Sequence, residues 1–204
     1  MTGGTRAAMV VGPAGQIQVE VDEPVGTLRG VAVLCHPHPL HGGSMSNKVV
    51  QTLARAFVTL GYRAVRFNFR GVGHSQGAWD EGRGEVEDAL AVLASQRLAD
   101  LPLALGGFSF GAYVAACAAA QLAAQAPVER LVLIGPATSN FNLPNVAADT
   151  IVVHGEADEV APLSATLDWA RPQVLPVIVL PGVGHFFHGQ LTLLKSQVVQ
   201  AWHR

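Results

Sequence analysis

The sequence predicts a three-layer α/β/α sandwich on a mostly parallel central sheet, and three observations predict it. Short apolar runs at 31–35, 103–105, 131–134 and 150–153 alternate with amphipathic stretches, as buried strands and crossover helices do in parallel sheets. Loops rich in glycine and histidine follow those strands, at the carboxyl edge where such sheets carry their working residues. One strand runs through Gly107-Phe108-Ser109-Phe110-Gly111 directly into an alanine-rich helix.

Taken in order, Met9 to Val11, a Gly12-Pro13-Ala14-Gly15 turn and Ile17 to Val21 read as strand, turn, strand. The second alternates apolar and polar residues, as a half-exposed antiparallel edge strand does. The run at 31–35 is apolar throughout and reads as a strand buried on both faces. Prolines and glycines then hold 36–43 as a loop. Ser46 or Asn47 can cap the next helix, whose apolar face is Val49, Val50, Leu53, Phe57 and Leu60, with Gly61 at its C-terminal end.

Residues 63–69 form the next predicted strand, and a second glycine-rich loop, 68–77, lies at its C-terminal end. Glu85, Glu87 and Asp88 open a helix that Arg97 closes, matching the helix dipole at both ends. After the serine turn, a helix is expected over 112–126. A short helix over 163–170, a strand over 174–180 broken by Pro176, and a final helix with Leu191, Leu194, Val198 and Trp202 on one face complete the chain. There are no repeats and no linker, so residues 1–204 are expected to form one domain.

Composition narrows the function. Of 204 residues, 50% are hydrophobic and 14% charged, which suits a sheet covered on both faces; a chain this long buries roughly 70% of its unfolded surface. Thirteen basic and fifteen acidic residues give a net charge of -2 with no basic stripe, which argues against nucleic acid or an anionic membrane as partner. The uncharged stretch 101–128 contains prolines, glycines and glutamines, and alanine dominates its apolar residues, so a strand, turn and helix fit it better than a membrane span. The N-terminal residues lack the apolar core of a secretory signal, and a cytoplasmic location is expected. Cys35 and Cys117 read as buried thiols.

The chemistry starts at Ser109. A strand–Gly-x-Ser-x-Gly–helix passage puts the serine at a sharp elbow, its hydroxyl clear of the backbone at a helix N-terminus. A neutral hydroxyl is a poor nucleophile, so it needs a base and a group to orient that base. Two later strand-end loops offer them: His154 to Pro162, with Glu156, Asp158 and Glu159, and Pro181 to Gly189, with His185 and His188. The order serine, acid, histidine is the one expected for a serine elbow on such a sheet.

Four motifs in this order, His36-Pro37-His38-Pro39 with Gly42-Gly43, Asn68-Phe69-Arg70-Gly71-Val72-Gly73, the serine elbow and Gly184-His185-Phe186-Phe187, resemble the α/β-hydrolase superfamily over essentially the full chain. Closer still, they are similar to small bacterial hydrolases related to the dienelactone hydrolases and known as predicted esterases. The resemblance implies an α/β-hydrolase fold with Ser109 as nucleophile, His185 as base and Asp158 as acid, the family's strand-Gly-x-x-Asp pattern choosing Asp158 over Glu156 and Glu159. The chain departs from the dienelactone hydrolases proper, which carry cysteine at the elbow, so their substrate does not carry over.

The oxyanion hole is expected to use the backbone N–H of Phe110 and one from the loop after Cys35. Pro37 and Pro39 have none, which leaves His38, with Leu40 second. His36, His38 and His41 lack a further ligand at a recognisable spacing, so no metal is expected, and the chemistry needs no cofactor. Arg70 and Asn68 are expected to brace their loop. Many related enzymes insert a helical cap after the strand at 131–134, but here only the fifteen residues 135–149 are available. No cap domain and a shallow, open site lined by Phe141 to Leu143 follow. The expected activity is hydrolysis of small carboxylic esters or thioesters; the competing readings are a non-catalytic ligand- or partner-binding protein on this fold, or an acyltransferase or peptidase using the same triad.

Overall fold

In the computed structural model, which describes residues 2–203, eight strands form one sheet. They are β1 (Thr2–Gly12), β2 (Gly15–Pro24), β3 (Gly30–Cys35), β4 (Tyr62–Phe67), β5 (Leu103–Phe108), β6 (Arg130–Ile134), β7 (Ile151–Gly155) and β8 (Val177–Leu180). Their order across the sheet is β1-β2-β4-β3-β5-β6-β7-β8. β1 and β2 pair antiparallel with each other, and β2 with β4; every other neighbour is parallel.

Alternation along the strands divides the core between two helical layers. Val31, Val33, Cys35, Leu103 and Leu105 face helices α2 (Arg83–Gln96) and α3 (Phe110–Leu122). Ala32, Leu34, Ala104 and Phe108 face α1 (Lys48–Thr59) and α5 (Leu191–Trp202). A shorter helix, α4 (Leu163–Ala170), lies between β7 and β8. All six residues of β3 and of β5 are buried, which is why those runs read as unbroken apolar stretches rather than alternating ones.

The helix boundaries follow from capping. Asn47 Oδ1 accepts the Val49 N–H at 2.9 Å and starts α1; Gly61, at φ +89°, turns the chain out of it. Glu85 opens α2 by accepting the N–H groups of Gly82 and Asp80. Asp88 has a different task from the dipole role expected of it: it is fully buried against Arg70. No helix among the described residues is long and apolar enough to cross a membrane.

Several local expectations need correction. β2 is an interior strand, because β1 extends from Thr2 and takes the edge. β4 ends at Phe67, where Asn68 N–H turns to the Gln18 carbonyl and Phe69 N–H to the His36 ring. α3 begins at Phe110 and stops at Leu122, short of Ala126. Val174 is exposed at φ +54°, so β8 starts only after Pro176. Between β6 and β7 the chain crosses without a helix or a cap.

Candidate active site

The elbow is fixed by close packing. Ser109 sits between β5 and α3 at φ 57° and ψ −119°, a conformation that costs a non-glycine residue about 1–3 kcal/mol. Its N–H is held by the Ile134 carbonyl at 2.9 Å. A Cβ on Gly107 would stand 2.0 Å from the Gly111 carbonyl oxygen, and one on Gly111 would stand 2.2 Å from that of Cys35. Both glycines are therefore demanded by sterics, and the strained serine is held from both sides.

Two further strand ends meet it. His185, in the loop after β8, has Nε2 3.0 Å from Ser109 Oγ and Nδ1 2.7 Å from Asp158 Oδ2, in the loop after β7. A carboxylate can only accept, so Nδ1–H donates to Asp158, leaving Nε2 to accept the serine hydroxyl proton. Asp158 Oδ1 accepts the N–H groups of Val160 and Ala161 at 2.9 and 2.7 Å. Burial by itself would raise the Asp158 carboxyl; the hydrogen bonds from His185 and the Ala161 amide outweigh it and hold the group below its ordinary value. All three residues are buried. Gly155 lets their loops approach, since a Cβ there would meet the Val183 carbonyl oxygen at 2.2 Å.

The rival candidates fall elsewhere. Glu156 is exposed and accepts the Gly182 N–H. Glu159 and His188 are exposed and make no hydrogen bond to Ser109 or His185 among the described residues. Asp149 lies at the opposite end of the sheet, paired with Arg130.

The loop after β3 leans over the elbow. Gly43 allows it to fold back, because a Cβ there would be 2.0 Å from the Pro37 carbonyl oxygen. His36 is fully buried and spends both ring nitrogens on backbone: Nε2 accepts the Phe69 N–H at 3.1 Å and Nδ1–H donates to the Pro37 carbonyl at 2.6 Å. It has no lone pair left for a metal, and burial lowers its pKa to about 4. His38 Nδ1 accepts the Leu40 N–H at 3.2 Å. The N–H groups of His38 and Phe110, by contrast, have no acceptor among the described residues.

Around this centre, Arg70 and Asn68 brace their loop. Arg70 grips Asp88 through Nε and a terminal nitrogen at 3.1 and 2.9 Å, while Asn68 bonds the Met45 N–H and Gln18. Aromatic rings wall one side: His38 lies 4.5 Å from Trp79 and 5.1 Å from Phe110, and Phe141 lies 5.1 Å from Phe110. On the His185 side runs an open groove of about 500 Å³ with Val160, Phe186 and His188 on its walls. Sequence reasoning anticipated Phe141 but missed Trp79, although a tryptophan in a glycine-rich polar loop is itself a signal. It also missed His154, whose ring lies behind Asp158.

The chain's relatives agree with this architecture. The family described as alpha/beta hydrolase fold matches residues 33–152. An alpha-beta serine hydrolase homologue from Coxiella burnetii is 40% identical, with a TM-score of 0.88 over 98% of this chain and 97% of that one. A serine hydrolase without a lid from Xanthomonas campestris is 38% identical, with a TM-score of 0.91 over 100% of this chain and 96% of that one. An uncharacterised protein of Rickettsia prowazekii is 44% identical over 108 residues, 51% of this chain; the chain thus spans less than half (45%) of that relative's length.

Proposed function

The chain belongs to the α/β hydrolase family, and on that premise we propose that it is a cofactor-independent hydrolase of small carboxylic esters or thioesters. The observation that carries this reading is the continuous chain of hydrogen bonds from Ser109 through His185 to Asp158. Ser109 Oγ attacks the acyl carbon as His185 Nε2 takes its proton, and Asp158 holds the imidazole in that tautomer and balances the imidazolium. The negative charge moves to the former carbonyl oxygen, which the N–H groups of Phe110 and His38 receive. His38 is favoured over Leu40 because the Leu40 N–H is already bonded to the His38 ring. Two such donors are worth several kcal/mol to the transition state.

His185 then returns the proton to the departing alcohol or thiol, so the leaving group stands on the side of the Phe186 groove. Water, deprotonated by the same nitrogen, attacks the acyl-serine, and the imidazolium returns that proton to Ser109 Oγ as the acid leaves. Without a cap, nothing encloses the acyl chain, which favours short or accommodating acyl groups. The test is hydrolysis of p-nitrophenyl esters of increasing acyl length by the native protein and Ser109→Ala. A burst followed by steady turnover, and a loss in the variant of roughly 10⁴–10⁶ in kcat, is the expected result. Equal rates in both proteins would remove Ser109 from the reaction.

A further inference from the structure

One buried ionisable side chain beside the triad has no part in the steps above. His154 stands in β7, four residues before Asp158, with no exposed surface. Ile151, Val152 and Val153 precede it on β7, and an aliphatic residue would suit the strand. Instead, Nε2 lies 2.8 Å from the Ala161 carbonyl oxygen and 3.4 Å from Asp158 Oδ2. Nδ1 has no hydrogen-bond partner among the described residues.

This asymmetry fixes the tautomer. Both atoms facing Nε2 are oxygens that can only accept, so Nε2 carries the proton and Nδ1 is the bare nitrogen. Burial lowers the pKa of the ring, against the pull of Ala161 and Asp158, which keeps it neutral. Leaving Nδ1 unpaired in the interior is costly, and a buried polar group that is only half satisfied calls for a reason.

Its place provides one. Asp158 has two oxygens to control: Oδ1 is held by the amides of Val160 and Ala161, and Oδ2 must face His185. The His154 N–H donates to the carbonyl of Ala161, whose amide is the shorter donor to Oδ1, and the ring's polar edge stands 3.4 Å from Oδ2, placing partial positive charge beside the carboxylate. We propose that His154 is a positioning residue for Asp158, its Nε2–H anchoring the Ala161 segment that holds Oδ1 while the ring edge beside Oδ2 keeps the carboxylate turned toward His185. The inference rests on the Ser109–His185–Asp158 reading above.

The test uses three variants of the full chain. His154→Leu removes the donor. His154→Gln places an amide nitrogen where Nε2 stands, and His154→Asn places one where Nδ1 stands, short of Oδ2. For each, kcat and KM with p-nitrophenyl acetate, the melting temperature and the downfield proton resonance of the His185–Asp158 hydrogen bond are measured. His154→Leu should lower kcat about tenfold with KM within about twofold, as loss of one buried hydrogen bond that supports the carboxylate implies, and should shift or broaden the resonance. His154→Gln should restore both. Native kcat and an unchanged resonance in His154→Leu, or Gln no better than Leu, would overturn the proposal. If the Leu variant does not fold, Gln and Asn decide: Gln active and Asn impaired supports the role, and equal behaviour refutes it. Should the native protein itself prove inactive, the hydrolase reading fails, while the resonance still tests the link from His154 to Asp158.

Discussion

A Cβ atom on Gly111 would stand 2.2 Å from the carbonyl oxygen of Cys35, so the first turn of α3 rests directly on the carboxyl end of β3. That contact brings the His36–Gly43 loop over Ser109 and places the Phe110 amide beside the serine. Gly111→Ala must push helix and strand apart, and no flexible side chain can absorb the clash. We expect a loss of more than about 3 kcal/mol, read as a lower unfolding midpoint in urea; a shift under about 1 kcal/mol would contradict so close an approach.

Asp158→Asn should leave the fold intact yet almost abolish the proposed ester hydrolysis. An amide nitrogen facing Nδ1 favours the opposite imidazole tautomer, in which Nε2 carries the proton and cannot take another from Ser109. A fall of roughly 10⁴ in kcat with little change in melting temperature is expected. Glu159→Gln, at an exposed rival position, should keep native rates in the same assay.

Arg70 and Asp88 form a buried pair, with 9% and 0% of their side chains exposed. Removing only the cation strands an anion that also accepts the Arg70 N–H at 2.9 Å. Arg70→Met should cost about 3–5 kcal/mol, and adding Asp88→Leu should recover part of that loss. Denaturant titration of the single and double variants checks it, and a double variant less stable than Arg70→Met would reverse the argument.

His36 gives stability a pH dependence of known sign. Burial lowers its pKa from 6.5 to about 4, so between those values the unfolded chain binds a proton that the folded chain does not. Its contribution is complete above pH 6.5 and declines as pH falls toward 4, a change of roughly 3 kcal/mol. His154, also lowered by burial, adds in the same direction, whereas the lowered carboxyl of Asp158 acts at still lower pH. Unfolding free energy measured from pH 7 to 4 should fall less steeply in His36→Gln than in the native chain.

Much of this was legible because it rests on local constraints. Gly107 and Gly111 mark a turn with no room for side chains, and the loop order of serine, acid and histidine places all three at one sheet edge. α4 and α5 match their predicted spans because proline and apolar periodicity bound them nearby. What escaped was set by partners distant in sequence. Nothing local to 15–24 says that β1 will cover its free edge, and the isolated run at 174–176 gives no sign that Val174 will adopt positive φ. His154 looked like any residue opening a strand-end loop; only the approach of the Ala161 carbonyl gives it a role.

If Ser109 is an activated nucleophile, covalent trapping reveals it most directly. Native protein treated with a fluorophosphonate should gain the mass of one phosphonyl group per chain, mapped to Ser109. Ser109→Ala should gain none, and His185→Ala should react far more slowly. An unlabelled native chain, or equal labelling of native protein and Ser109→Ala, would contradict the account.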